Sequence, residues 1–192
     1  MVFFPLLCMI KKNGIKAFFI YIAFDSSKKT RYIMYNIDFS KPLHVHFIGI
    51  GGISMSGLAQ ILLANGFRIS GSDNQNSALT EELQRLGANI RIGQSAANIT
   101  EGIDLVVYTA AIKEDNPEFQ KCLESEIPMM SRAELLGQIM KNYNHAIAIS
   151  GTHGKTTTSS MSSEILIAAG TDPTLTIGGI LKSIRIDRKS VV

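Results

Sequence analysis

The chain has 192 residues, 45% of them hydrophobic and 18% charged, enough for a buried core in one full domain and part of another. Two cysteines, Cys8 and Cys122, lie far apart without a CxxC or Cys/His cluster; this excludes a disulfide framework and a zinc site, and Cys122 reads as an ordinary reduced thiol. Six of the 19 basic residues but one of the 16 acidic ones fall in residues 1–33, leaving 13 basic against 15 acidic beyond, so the formal charge of +3 marks no basic face for nucleic acid.

Residues 1–33 contain two apolar runs, 1–10 and 17–24, split by Lys11, Lys12 and Lys16. Neither approaches the roughly 20 residues that span a bilayer, and no stable membrane insertion is expected. A signal peptide fits poorly, because "DSSKKTRY" follows the second run where a small-residue cleavage site belongs. Five Ile, five Lys, five Phe, two Tyr and one Asn match the translation of AT-rich noncoding DNA. Residues 1–40 are therefore expected to be a leader, upstream read-through or disordered, with Met34 the natural start.

From residue 41 strand, turn and helix alternate. "LHVHFI" (43–48) is a strand entering a glycine-rich turn, and "SGLAQILLAN" (56–65) spaces Leu58, Ile61 and Leu62 as a helix face ending before Gly66. His44 and His46 alternate with Val45 and Phe47 and read as satisfied core or edge histidines; Met55 reads as packing. "FRISGSD" is a second strand ending in Asp73, and "ALTEELQRLG" a helix with Leu79, Leu83 and Leu86 on one face. "NIRIG" and "DLVVYT" (104–109) are further strands, the latter continuously apolar as a strand covered on both faces should be. "NPEFQKCLES" sets Pro117 in a first helical turn after Asn116. "IPMMS" and "RAELLGQIMK" repeat the strand–helix unit, and "HAIAIS" (145–150) is expected to open a new sheet past a boundary near residue 142. This βαβ alternation predicts a doubly wound parallel sheet.

Two turns carry phosphate chemistry. Gly49-Ile50-Gly51-Gly52-Ile53-Ser54 follows a strand and opens a helix, but a dinucleotide fingerprint wants glycine at position 54, where this chain has Ser. Asp73 lies where an acid would meet a ribose hydroxyl. Backbone without side chains lets a pyrophosphate approach a helix N-terminus, which suits NAD, FAD or a UDP-sugar equally. The second turn, Gly151-Thr152-His153-Gly154-Lys155-Thr156, is a shortened Walker loop, with Ile149 where the full pattern has glycine. Its amides would surround the β-phosphate of ATP, Lys155 would reach the β- and γ-oxygens, and the Thr156 hydroxyl would coordinate Mg2+. His153 either touches the nucleotide or points to solvent.

"HFIGIGGISMSGLA", "ISGSD", the turn after "DLVVYTAAI", "MSRAELLGQIM" and "AISGTHGKTTTSS", in that order and over about residues 41–185, resemble the Mur ligases. The resemblance implies a cytoplasmic enzyme of peptidoglycan synthesis, and so of cell wall biogenesis, cell shape and cell division. It also implies three domains, holding a UDP-sugar, ATP and an amino acid. ATP would phosphorylate a muramoyl carboxylate and an amino-acid amine would attack the acyl phosphate. The GIGG form at 49–52 favours the alanine-adding branch, whose substrates are UDP-N-acetylmuramate and L-alanine. Gly51, Gly52 and Ser54 would then face the UDP diphosphate, Ser72 and Asp73 the uridine or sugar-phosphate region, and Thr109, Ala110 and Ala111 another part of the substrate. Gly151, Thr152, His153, Gly154, Lys155 and Thr156 would hold ATP and Mg2+, with Lys155 the catalytic cation.

The implied fold is α/β: a Rossmann-like UDP-sugar domain over 41–142, followed over 143–192 by the incomplete start of a P-loop Mur-ligase ATP-binding domain. One strand and one helix cannot cover both faces of a parallel sheet, so that second segment should be loosely held. "IDRKSVV" ends the chain where the family pattern should continue, which points to a truncation or frameshift near Arg185–Ile186 and to a fragment inactive alone. Two alternatives stand beside this reading. An NAD(P)-binding oxidoreductase module explains the first turn and Asp73 but not GTHGKT, and a noncatalytic remnant over 41–141 would capture a UDP-sugar without turnover. N-terminal sequencing of the native protein is expected to begin at Met34; a start at Met1 would refute the read-through reading.

Overall fold

The computed structural model describes residues 36–177. The expectations for residues 1–33, for Met34 and for "IDRKSVV" lie outside them. Five short strands, β1 (His44–Ile48), β2 (Arg68–Asp73), β3 (Asn89–Ile92), β4 (Leu105–Tyr108) and β5 (Met129–Ser131), pair in parallel in the order β3-β2-β1-β4-β5. Helices α1 (Ile53–Ala64), α2 (Ala78–Arg85), α3 (Pro117–Glu124) and α4 (Arg132–Met140) connect or follow them, and a 3-10 turn spans Ala96–Asn98. The chain is thus a Rossmann-like α/β fold with a parallel sheet, as the alternation predicts.

Local chemistry sets the helix ends. Ser77 and Thr80 close a capping box on α2, and Ser131 and Glu134 close another on α4. Asn116 caps α3 by accepting from the amides of Glu118 and Phe119 at 2.9 and 3.1 Å, with Pro117 in the first turn. Gly66 follows the Asn65 cap of α1 at φ +81°, the left-handed geometry that ends a helix most readily at glycine.

Alternation along the strands sorts two cores. Val45, Phe47, Ile69, Leu105 and Val107 pack with Leu58, Leu62, Leu83, Leu135 and Ile139 from the helices on one face. Ile48 and Val106 meet Ile103 and Cys122 on the other. β1 and β2 place His44, His46, Ser70 and Ser72 on this second face, so much of it is polar.

Four expectations need correction. Helix α1 begins at Ile53, before residue 56, because Gly52 in extended backbone already serves as its N-cap. Leu86 is half exposed at the α2 C-cap, and Thr80 is buried in its stead beside Leu83. The leader boundary at residue 40 is too late. Ile37 is buried in the main core, and Asn142 holds the chain there, accepting from Phe39 N at 3.0 Å and donating to Ile37 O at 2.8 Å. Phe39 also packs edge-on against Phe67 and Tyr143. Finally, residues 145–150 form no strand. A parallel strand exists only through its ladder, and no described strand lies beside this segment; Ile147 is left exposed.

Gly71 marks the tightest approach in the sheet. A Cβ there would stand 2.8 Å from both Phe47 O and Ile50 Cδ1, and one of these is backbone that cannot swing away. Gly71→Ala is expected to lower unfolding stability by about 1–3 kcal/mol through overpacking, measured by denaturant titration; an unchanged midpoint would show that the turn after β1 can yield.

Candidate functional site

In an open parallel sheet, ligands bind beyond the carboxyl ends of the strands where the strand order reverses. Here that point lies between β1 and β4. A cavity of about 720 Å³ opens there, lined by Gly49, Gly51, Gly52, Asp73, Asn74, Gln94, Thr109, Ala111, Ile112, Lys113, Asp115, Asn116 and Pro117. The turns after β1 and β4 come together: a Cβ on Gly49, which sits at φ +83°, would lie 3.8 Å from Ile112 and 3.9 Å from Thr109. The α1 N-terminus adds first-turn amides without intrahelical partners, the usual anion-binding arrangement.

Gly51 is required by crowding. A Cβ would stand 2.8 Å from Asp73 Oδ2 and 3.2 Å from Thr80 Cγ2. Its amide donates to that same Asp73 oxygen at 2.8 Å, so the carboxylate at the end of β2 latches the glycine turn. The backbone carbonyl of Ser72 holds the turn from below, accepting from Gly49 N and Ile50 N at 2.9 and 3.0 Å.

Among the UDP-sugar candidates, Gly51, Gly52, Asp73, Thr109 and Ala111 line the cavity. Ser54 and Ala110 are exposed but outside its lining. Ser72 requires a correction. Its side chain is fully buried and its hydroxyl donates to Glu118 Oε2 at 2.6 Å, so it lies beneath the site and does not face it. Asn74, Gln94, Ile112, Lys113, Asp115, Asn116 and Pro117 were not among the candidates; Lys113 is the single basic residue of the lining. No periodicity or motif distinguishes them.

The second turn leads into α5 (Lys155–Ala168) through Gly154, at φ +79° with nothing within 4 Å of where a Cβ would stand. Residues 151–158 are exposed. The Lys155 ammonium folds back on its own loop, donating to Gly151 O at 2.5 Å and Thr152 O at 3.1 Å. Thr156 stands in the first turn of the helix, and His153 is exposed. Among the described residues no group of three or more His, Cys, Asp or Glu is placed to hold a metal ion. The Thr156 hydroxyl is a side-chain oxygen that the start of α5 could offer a magnesium ion. Met161 and Ile165 of α5 are exposed, with Ser163 buried.

Comparison with known proteins gives the geometry a lineage. Residues 44–144, which hold the whole sheet and its glycine turn, match the model of the Mur ligase family, catalytic domain. The chain belongs to the Mur ligase family. The UDP-N-acetylmuramate–L-alanine ligase of Agathobacter rectalis is 68% identical over 151 residues, 79% of this chain and 33% of that protein. The Lachnospira eligens protein of the same name is 66% identical over the same shares. The crystal structure of UDP-N-acetylmuramate-alanine ligase MurC from Thermotoga maritima superposes with a TM-score of 0.68 at 35% identity, over 74% of this chain and 33% of that one. The crystal structure of UDP-N-acetylmuramate:L-alanyl-gamma-D-glutamyl-meso-diaminopimelate ligase from Neisseria meningitides gives 0.70 at 32%, over 77% and 46%. This Mur ligase chain thus spans about a third of the length of the curated relatives it matches.

Behind the Mur ligase pocket the polar face of β1 and β2 carries a chain of hydrogen bonds. His44 Nδ1 donates to Gly102 O at 3.0 Å and its Nε2 meets Ser70 Oγ at 2.8 Å; His46 Nδ1 meets the same hydroxyl at 2.9 Å. Burial holds the His44 imidazole below its ordinary pKa of 6.5. Burial pushes the Glu118 carboxyl upward, but the approach of His46 at 3.7 Å and hydrogen bonds from Ser72 and Asn98 outweigh it and leave the group below 4.5.

Both groups make the fold weaken in acid. His44 binds its proton less readily folded than unfolded, so its contribution is complete above about pH 6.5 and is lost as pH falls through the lower folded value. Glu118, also lowered, contributes fully above about pH 4.5 and is lost further down. The denaturation midpoint is expected to fall on acidification from neutrality, His44 acting first, and His44→Gln should flatten the upper part of that decline. A midpoint independent of pH across this window would refute the assignment.

Proposed function

We propose that this chain carries the UDP-sugar pocket of a UDP-N-acetylmuramate–L-alanine ligase and the phosphate loop that would hold its ATP. The reading is carried by one coincidence. The cavity at the β1/β4 reversal is walled by Gly51, Gly52, Asp73, Thr109 and Ala111, and it lies inside the segment shared with ligases of that name. A diphosphate entering it would meet the amides of the α1 first turn and the Lys113 ammonium, while Asp73 keeps the Gly51 amide. Asp73 would border the uridine or sugar-phosphate, and Thr109 to Ala111 the sugar side. Ser54 would assist from the first turn of α1.

Gly151 to Thr156 would hold ATP, with Lys155 exchanging its own loop carbonyls for phosphate oxygens and Thr156 supplying a magnesium ligand. Magnesium, when bound, would neutralise charge on the transferred phosphate. In the whole enzyme the muramoyl carboxylate would attack the γ-phosphate, releasing ADP and forming an acyl phosphate. The L-alanine amine would then displace inorganic phosphate to give the amide. Such work belongs to cytoplasmic peptidoglycan synthesis; no helix among the described residues is long and apolar enough to cross a membrane.

UDP-N-acetylmuramate is expected to raise the melting temperature of the chain while NAD does not, and Lys113→Ala should reduce the shift. A shift with NAD alone would favour the oxidoreductase alternative. No L-alanine-dependent phosphate release is expected from these 192 residues, which cover a third of the relatives' length; a measurable rate would overturn the fragment reading.

A further inference from the structure

The polar wall of the pocket depends on a side chain that never reaches it. Asp73, Gln94 and Asn116 line the cavity, and each sits within two residues of Glu118 or of one of its partners. Asp73 follows Ser72, Gln94 precedes Ser95, and Asn116 stands two residues before Glu118. Glu118 is fully buried; Oε2 accepts from Ser72 Oγ at 2.6 Å, and Oε1 accepts from Ser95 N at 3.2 Å and from Asn98 Nδ2. Asn116 accepts from Glu118 N at 2.9 Å and donates to Gln94 Oε1 at 2.6 Å. One carboxylate thus ties together the end of β2, the loop after β3 and the start of α3.

The hydrogens of this face can be counted from its fixed acceptor. The Gly102 carbonyl only accepts, so His44 Nδ1 carries a hydrogen, and burial keeps the ring neutral with Nε2 bare. Ser70 must then donate to His44 Nε2 and accept from His46 Nδ1. What is left is His46 Nε2, almost wholly buried and 3.7 Å from Glu118 Oε2. Among the described residues it is the one buried side-chain nitrogen or oxygen without a hydrogen-bond partner. At that distance the ring fills the space beside the carboxylate without a hydrogen bond, and the donors Ser72, Ser95 and Asn98 hold Glu118 in place. Cys122 brings no competing charge, its thiol pushed up to about 12 by burial and then by Glu118. Asp104 lies at the far end of the face, accepting from the His44 amide at 2.8 Å.

We propose that Glu118 is a positioning residue for this pocket, and that its hydrogen bonds to Ser72, Ser95 and Asn98 set Asp73, Gln94 and Asn116 in place for a nucleoside-diphosphate sugar. Only the identity of the ligand rests on the proposed function.

The test uses the full chain labelled with 15N. The Asn116 side-chain amide, which lines the cavity and donates to Gln94 Oε1, reports the position of the pocket wall. Glu118→Gln keeps the volume but sets an amide donor among donors. It should shift the Asn116 side-chain amide resonance and weaken UDP-N-acetylmuramate binding about tenfold. Unchanged affinity would overturn the positioning role. If Glu118→Gln does not fold, Ser72→Ala removes one donor from the carboxylate without altering the cavity lining and should weaken binding about threefold; unchanged affinity there would overturn the role equally. Failure of the unmodified chain to bind UDP-N-acetylmuramate would instead refute the proposed function, and the Asn116 resonance would still decide whether Glu118 sets the pocket wall.

Discussion

The strand order is the constraint from which the site follows. From β1 the chain passes through α1 to β2 on one side, and after β3 it returns to lay β4 on the other side of β1. The loops leaving β1 and β4 therefore rise from neighbouring strands, and both line the cavity above them. A right-handed crossover in each unit places α1 so that its N-terminus faces this cavity. Gly49 at positive φ turns the chain there, and the Thr109–Ile112 segment closes in to within van der Waals reach of that turn. Neither loop could occupy this position if β4 paired with β3.

The two faces of the sheet do different work. The face packed on α1, α2 and α4 is apolar and supplies the area-dependent stabilisation of the fold. The face under α3 carries His44, His46, Ser70 and Ser72, with hydrogen bonds among them and from Ser72 to Glu118 of α3 whose geometry tolerates little sliding. Apolar contact can be satisfied by many neighbouring arrangements, whereas this network is satisfied by one. Removing one partner from a buried charged contact costs about 3–5 kcal/mol, a large share of a small domain's stability. Placing such a network beside a pocket trades apolar stability for a fixed position of the pocket wall.

The parallel sheet and four of its helices are legible in the sequence because period and capping agree. Ser77 and Ser131 stand before apolar-periodic runs, Asn116-Pro117 is a start signal, and Gly66 a stop signal. The two glycine turns are legible as turns because glycine clusters mark tight connections into a helix. Ser72 misleads because it adjoins Asp73 in the chain. Strand alternation sends neighbouring side chains to opposite faces, and the pairing of Ser72 with Ile48 places it with His46 and Ser70 instead. Glu118 is invisible for a related reason: an acid in the first turn of a helix reads as a dipole partner at the surface, and only the tertiary register sets it over β2. "HAIAIS" has the composition of a strand, but a strand is a statement about a neighbour, which no composition supplies.

The two glycine turns differ in why they need glycine and in the charge they present. At Gly51 the requirement is space, since Asp73 and Thr80 crowd the position. At Gly154 space is open and the requirement is the left-handed backbone that starts α5. Each turn is also closed by a charged side chain of the protein itself. Asp73 sits on the Gly51 amide as a built-in anion, and Lys155 lies on the Gly151 and Thr152 carbonyls as a built-in cation. On the proposed function, a phosphate at the first turn would meet a negative charge and turn toward the helix amides and Lys113, and one at the second would draw Lys155 off its carbonyls. Two loops of similar composition therefore offer opposite electrostatic terms to the same kind of ligand, and the difference lies in which ion each loop already holds.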